Sequence, residues 1–337
     1  MRTSNETIKL IRVAAVQSQS RLGNIEANLE HFTPLVEQAA GLGAQLIVFP
    51  ELAASGYSMS KMVWDAAERR DGATVSWLQR ISLRLGVYIG IGFVEVEGED
   101  FFNTFALSAP DGRIAGYVRK TMAETYCFRC ADGPHVIETE IGRIGVGICA
   151  DNLFVANLDR MQDNAADILL MPHAAPLPYK TGGLVSEKDI LEAHQSMSLM
   201  ATDRAQRIGV PVVFVNQVGR RGAEKWVGTL GKLMSPETFR LGGLSTIVSS
   251  DGTILAQLDG QDEAVIVADV TLDPAKKISS RATRHGSYGG GFVTPHPFLF
   301  EAICYLDAFI YGLSYQLSSE RRHKARVAAS NGKLNPM

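Results

Sequence analysis

Short runs rich in β-branched residues recur along this chain, and longer stretches of helical period lie between several of them. IRVAAVQ, QLIVFPE, GVYIGIGFVEV, NTFALSA and RIAGYVRK are followed by RIGVGICAD, ADILLMP, VPVVFVNQVG, LSTIVSS and EAVIVADV, each bounded by Gly, Pro, Asp or Asn. Such runs predict strands. In NIEANLEHFTPLVEQAAGLG, Leu29, Phe32, Leu35 and Val36 fall on one helical face and a glycine pair supplies the stop. TVSWLQRISLRLG reads the same way. The alternation specifies an α/β fold with helices covering the sheets. Asp-Gly pairs inside SAPDGRIAGY and SSDGTILAQL predict hairpins, so the sheets are mixed rather than a purely parallel barrel.

With 46% hydrophobic and 20% charged residues among 337, the chain can bury a sizeable core. A net charge near −3 supplies no basic field for nucleic acid or anionic lipid; the one cationic cluster, RRHKAR at 321–326, is modest. No linker or repeat divides the sequence. The main unit is placed at 8–280 and a C-terminal extension at 281–337. The extension holds a long helical segment from Phe298 to about Ala329, apolar on more than one face. Glu301 and Asp307 fall inside its apolar part, which argues against a bilayer span and for a buried or subunit-facing helix. A homo-oligomer contact and plain intrachain packing are both open.

The N-terminus shows no apolar segment followed by a small-residue cleavage site, so the cytoplasm is the default compartment. Cys127 and Cys130 have CxxC spacing, but no second pair completes a zinc site, and four cysteines do not make a disulfide framework. No metal is expected.

RIGVGICADN, at 143–152, ends an apolar run on a thiol followed by an acid and an amide. Two other strand ends also carry an ionisable group: Glu51 after QLIVFP and Lys120 after RIAGYVR. If these strands lie side by side and run one way, the three groups meet at one sheet edge, where α/β folds place ligands. A thiol is mostly protonated at neutral pH, so a carboxylate in reach serves as its base. An ammonium favours the thiolate and the later oxyanion, and the Ala150 N–H is a second oxyanion donor. The chemistry implied is attack on an electrophilic carbon and hydrolysis of a thioester. Singly, each residue has a plainer role: a helix N-terminal acid, a solvated lysine, a buried cysteine.

IVFPELAASGY around Glu51, GYVRK around Lys120 and GVGICAD around Cys149 resemble the nitrilase or carbon–nitrogen hydrolase superfamily, in its order of Glu, Lys and Cys. The resemblance covers roughly residues 10 to 275, including NTFALSAPDG and VFVNQVG. It implies a four-layer αββα sandwich with a cysteine nucleophile, no metal or organic cofactor, and assembly into dimers or larger forms. It also implies a second glutamate between the lysine and cysteine strands, holding the lysine. Glu124, in ETYCF, matches that role, although three residues separate it from Lys120; Glu138 and Glu140, in the turn-like GPHVIETEIGR, are rivals.

The substrate is less defined. Relatives that hydrolyse N-carbamoyl amino acids resemble one another in carrying arginines shortly after the cysteine, whereas Asn152, Leu153 and Phe154 follow Asp151 here. Nitrilases proper show Trp-Glu after the cysteine; this chain has Ala150-Asp151. A small, uncharged amide is the expected substrate, with a nitrile or N-carbamoyl compound as alternatives. Candidate contacts are Ala150, Asn152, Tyr57 and His173 at the end of ADILLMP, with Arg220 or Arg221 able to meet an acidic group and the loop bearing Trp226 able to cover the pocket. An acyltransferase, or a non-catalytic assembly protein on the same fold, are the remaining readings.

Overall fold

The structure is a computed structural model. It describes residues 7–58, 60–122, 127–133, 135–182, 185–219, 237–295 and 298–331. The chain opens with β1 (Lys9–Gln17), α1 (Ile25–Gly41), β2 (Leu46–Val48), α2 (Ala73–Leu85), β3 (Tyr88–Glu97), β4 (Asp100–Ser108) and β5 (Ile114–Arg119). Next come β6 (Val136–Thr139), β7 (Gly142–Val146), α3 (Val155–Asp163), β8 (Ile168–His173), β9 (Pro176–Pro178), α4 (Glu187–Ile208) and β10 (Val212–Asn216). The last part holds β11 (Val218–Gly219), β12 (Phe239–Gly242), β13 (Thr246–Val248), β14 (Ile254–Gln257), β15 (Ala264–Leu272), α5 (Phe298–Leu317) and α6 (Ser319–Asn331).

Among the described residues the strands form two six-stranded sheets, ordered β15-β1-β2-β3-β4-β5 and β14-β13-β10-β8-β7-β6, with β11, β12 and β9 in a small third sheet. Both Asp-Gly hairpins are present, joining β4 to β5 and β13 to β14. Residue alternation stacks the layers. Val13, Ala15, Leu46 and Val48 point into the space between the sheets and meet Ile144, Val146, Ile168, Leu170, Val213 and Val215. Their neighbours Ala14, Val16, Ile47 and Phe49 point the other way, onto Phe32 and Val36 of α1 and Trp77 and Leu78 of α2. On the far side Leu169, Met171, Val212 and Phe214 pack on Leu158 and Met161 of α3 and Ala201 and Ala205 of α4. The result is the αββα sandwich, and it explains the unbroken apolar runs: strands covered on both faces need no polar side. Each such Val, Leu or Ile contributes about 1.5–3 kcal/mol by leaving water.

Strand direction places the chemistry. β1, β2 and β3 are mutually parallel, and two antiparallel pairings return β5 to the same direction. β7, β8 and β10 are also mutually parallel. Glu51 and Lys120 therefore leave the first sheet at the same end, with β3 and β4 between them, while Cys149 leaves the second. The expectation of one shared sheet edge is corrected: β5 is an edge strand, and the chain crosses from it to β6 in the other sheet. The GPHVIETEIGR stretch, expected as a turn, contributes β6 as one arm of a hairpin with β7.

The C-terminal segment is two helices rather than one. Ser318 separates them, and its Oγ accepts the Arg321 N–H at 3.2 Å. Arg321, buried on α6, donates to the Glu99 carbonyl and to Asp100 Oδ1, both at 2.8 Å, pinning the helix on the β3–β4 hairpin. The extension also reaches the segment between β7 and α3: Val155 N donates to Gly291 O at 3.0 Å and Val293 N to Leu153 O at 2.8 Å. Among the described residues no helix is long and apolar enough to cross a membrane.

Candidate active site

Glu51 sits in the turn that follows β2, and this turn lies directly on β3. Ala54 N donates to Gly92 O at 3.0 Å and Gly92 N to Pro50 O at 3.2 Å. A Cβ on Gly92 would stand 2.3 Å from Leu52 N, so only glycine lets the turn come this close. Glu51 is 1% exposed. Its Oε1 accepts Lys120 Nζ and Asn103 Nδ2, each at 2.7 Å, and its Oε2 accepts the Ala174 N–H at 3.0 Å. The Glu51 carbonyl accepts Gln217 Nε2 at 2.6 Å. Two buried opposite charges persist because each has its partner and further hydrogen bonds.

Lys120 is equally enclosed, at 5% exposed. Its amide donates to the Asn103 carbonyl at 2.8 Å, so one β4 residue fixes both members of the pair. Ala174 and Gln217 belong to the second sheet's strand ends. They place Glu51 across the mouth of the sandwich, facing the ends of β8 and β10.

Cys149 opens a short 3-10 turn, Cys149–Leu153, just after β7. Its φ is +47°, in the left-handed region that residues with a Cβ seldom occupy. Asn152 Nδ2 donates to the Cys149 carbonyl at 3.2 Å and lies 3.1 Å from His173 Nε2. His173 is followed by Ala174, whose N–H is on Glu51. These links bring the Cys149 turn and the Glu51–Lys120 pair to one end of the two sheets. Asp151 ties the turn to the segment after Lys120, accepting Met122 N at 2.9 Å.

Burial, with the positive charges of Lys120 and Arg204, holds the His173 pKa well below its ordinary 6.5. The ring is neutral, and its Nε2 lies within hydrogen-bond distance of the Asn152 amide.

The residues matched by known proteins coincide with this sandwich. The family profile described as carbon-nitrogen hydrolase matches residues 12–279. The chain belongs to the carbon–nitrogen hydrolase family. It is 28% identical over 268 residues to an N-carbamoylputrescine amidase of Arabidopsis thaliana, covering 75% of this chain and 84% of that one. It is 25% identical over 269 residues to a nitrilase of Pyrococcus abyssi, covering 78% and 90%. A carbon–nitrogen hydrolase of Helicobacter pylori G27 has the same fold, with a TM-score of 0.67, 20% identity, and 79% and 90% of the two chains covered. So does an amidase of Nesterenkonia sp. AN1 carrying an acrylamide adduct at its active-site cysteine, with a TM-score of 0.63, 21% identity, and 77% and 92% covered. This carbon–nitrogen hydrolase acts on bonds other than peptide bonds.

Its other expected site residues divide. Ala150 is half-buried beside the thiol-bearing residue. Asn152 has no exposed surface, and its amide is engaged by Gly147, Cys149, Asn157 and His173. Its side chain faces these protein partners rather than open space, unlike the substrate contact expected of it. Tyr57 packs against the cluster of Trp64, Phe101, Cys127 and Phe128. Glu138 lies in β6 and Glu140 in the β6–β7 turn, at the opposite end of β7 from Cys149, and both are exposed. Glu124, Arg220, Arg221 and Trp226 lie outside the described residues. Asn103 and Gln217 were not anticipated. Their signal was present: amides inside the apolar runs NTFALSA and VFVNQVG, where a buried polar group needs a partner.

Proposed function

We propose that this carbon–nitrogen hydrolase is a thiol amidohydrolase acting on a small, uncharged amide. The buried Glu51–Lys120 pair, presented by the first sheet to the Cys149 turn of the second, carries the reading. Glu51 takes the Cys149 proton and the thiolate forms a C–S bond to the amide carbon. Lys120 and the Ala150 N–H hold the resulting oxyanion. Glu51 returns the proton to the leaving nitrogen as the C–N bond breaks, releasing ammonia or an amine and leaving a thioester. Glu51 then removes a proton from water, which attacks the thioester; the acid leaves and the thiol is restored. Glu124 takes the role of holding Lys120. The uncharged substrate follows from Leu153 and Phe154, which stand where carbamoyl amino acid hydrolases resemble one another in arginine.

The test is intact-mass spectrometry after brief exposure to a panel of small amides, carbamoyl compounds and nitriles, with acid and ammonia followed in parallel. Wild type accumulates an acyl adduct on Cys149 with an amide; Cys149→Ala gives neither adduct nor acid. Acid release by a folded Cys149→Ala protein refutes the nucleophile, and turnover of nitriles alone moves the assignment to a nitrilase.

We further propose that the extension at 281–337 serves assembly into a homo-oligomer. Leu306, Phe309, Leu313 and Leu317 make an exposed stripe at helical spacing on α5, and an apolar stripe of this kind is stable when another protein surface covers it.

A further inference from the structure

The left-handed backbone of Cys149 is strained, and strain of this kind persists where the surroundings over-determine it. The surroundings converge on one side chain, the amide of Asn152. Its Nδ2 donates to the Gly147 carbonyl at 2.6 Å and the Cys149 carbonyl at 3.2 Å, so it clips the left-handed residue to the strand exit two positions before it. The same nitrogen meets His173 Nε2 on β8 at 3.1 Å, and Oδ1 accepts Asn157 Nδ2 of α3 at 3.1 Å. The backbone of Asn152 is held as well. Arg204 of α4, 2% exposed, donates through Nε to the Asn152 carbonyl at 2.9 Å, and its guanidinium is paired with Asp203.

The fit leaves no slack. A Cβ on Gly147 would lie 2.1 Å from Asn152 Oδ1 and 2.5 Å from Asn157 Nδ2. The segment after β7 and elements β8, α3 and α4 thus meet on this one residue. A buried arginine directed at a backbone carbonyl is a costly group to retain for packing alone, since its desolvation must be offset.

We propose that Asn152 is a positioning residue that locks the Cys149 turn in its left-handed conformer, with Arg204 and Asn157 as its anchors. The proposal rests on Cys149 as the nucleophile. Without the amide the bend relaxes toward an ordinary φ, carrying the thiol out of line with Glu51 and with the Ala150 N–H. A misplacement near 1 Å lowers turnover by roughly 10²-fold. Binding is less affected, because Asn152 has no exposed surface to offer a substrate.

The experiment compares Asn152→Ala, Asn157→Ala, Arg204→Met and Arg204→Lys well below their unfolding temperatures. It measures kcat and KM, and separately the rate at which iodoacetamide alkylates Cys149. Asn152→Ala and Arg204→Met lose most of kcat with KM nearly unchanged, and their thiols alkylate at an altered rate. Arg204→Lys, which keeps a cationic donor for the carbonyl, recovers much of both. A role in stability alone leaves kcat and alkylation of the folded variants at wild-type values, and that result overturns the proposal, as does an effect confined to KM. If Asn152→Ala does not fold, Asn157→Ala removes one outer contact of the same amide and carries the same comparison. Alkylation needs no turnover, so failure of the nucleophile assignment, seen as activity in Cys149→Ala, is distinguishable from failure of the brace.

Discussion

Replacing Gly92 by alanine tests whether the position of Glu51 is set by the backbone of β3. The added methyl would stand 2.3 Å from Leu52 N and 2.9 Å from both Glu51 Cα and its carbonyl carbon. Carbon contacts settle near 3.5–4.0 Å, so the turn must move outward by about 1 Å. It has little freedom to do so gently. Leu52 is fully buried at φ +49°, and the Glu51 carbonyl is held by Gln217. Overpacking of this kind costs about 1–3 kcal/mol, a fall of a few degrees in Tm for a chain this long. The carboxylate moves with its backbone, and in the proposed role of Glu51 as general base a displacement of about 1 Å costs roughly 10²-fold in kcat.

Gly90, two residues earlier on the same face, is the control. Its Cβ would come equally close, 2.3 Å, but to Phe105 Cζ in the core rather than to the Glu51 turn. Both alanine variants lose stability by calorimetry, and Gly92→Ala alone loses kcat on the amide turned over by wild type. Equal kcat losses in the two would refute the reasoning, and so would a Gly92→Ala enzyme that is destabilised yet fully active.

Acid should destabilise the protein through its buried histidines. Burial, with Arg160 nearby, lowers the His135 pKa from 6.5 to about 4, and His173 shifts the same way. Between those values the unfolded chain binds the proton and the native one does not. Stability is therefore full above pH 6.5 and falls with pH, by about 3 kcal/mol for His135 near pH 4. His135→Asn, which tolerates the φ of +52°, flattens urea midpoints measured across this window; a slope parallel to wild type contradicts the assignment. Sedimentation of wild type should show a dimer or larger form that Leu306→Glu with Phe309→Glu dissociates, and a monomeric wild type ends the assembly proposal.

The sandwich was legible because its strands are covered on both faces and its hairpins carry Asp-Gly. The site was legible as far as each strand end announces itself: a thiol after RIGVGI, a carboxylate after a Pro, a lysine closing RIAGYVR. What could not be read was which sheet each strand joins. β5 and β7 look alike in composition, and only the pairing of β5, which among the described residues has β4 on one side and no strand on the other, sends the chain across to β6. The partners of Glu51 were hidden for a related reason. Asn103, Ala174 and Gln217 lie far along the sequence, and their convergence is a property of the stacked sheets. Asn152 reads as a substrate contact from its place near the cysteine, whereas the turn buries Cys149, Asp151 and Asn152 together.

The positions after Cys149 show why no arginine stands there. The Leu153 carbonyl accepts Val293 N at 2.8 Å, and Phe154 packs its ring 5.0 Å from that of Phe292 and 5.5 Å from that of Tyr288. Phe154 and Phe292 are buried, and both face an apolar cluster completed by Met122 and Cys304 of α5. An arginine at 154 would place an unpaired charge in that cluster, at a cost of several kcal/mol. Leu153 and Phe154 therefore secure the C-terminal extension beside the Cys149 turn. A substrate held by its own carboxylate would need its cation from another loop, and an amide without that carboxylate needs none.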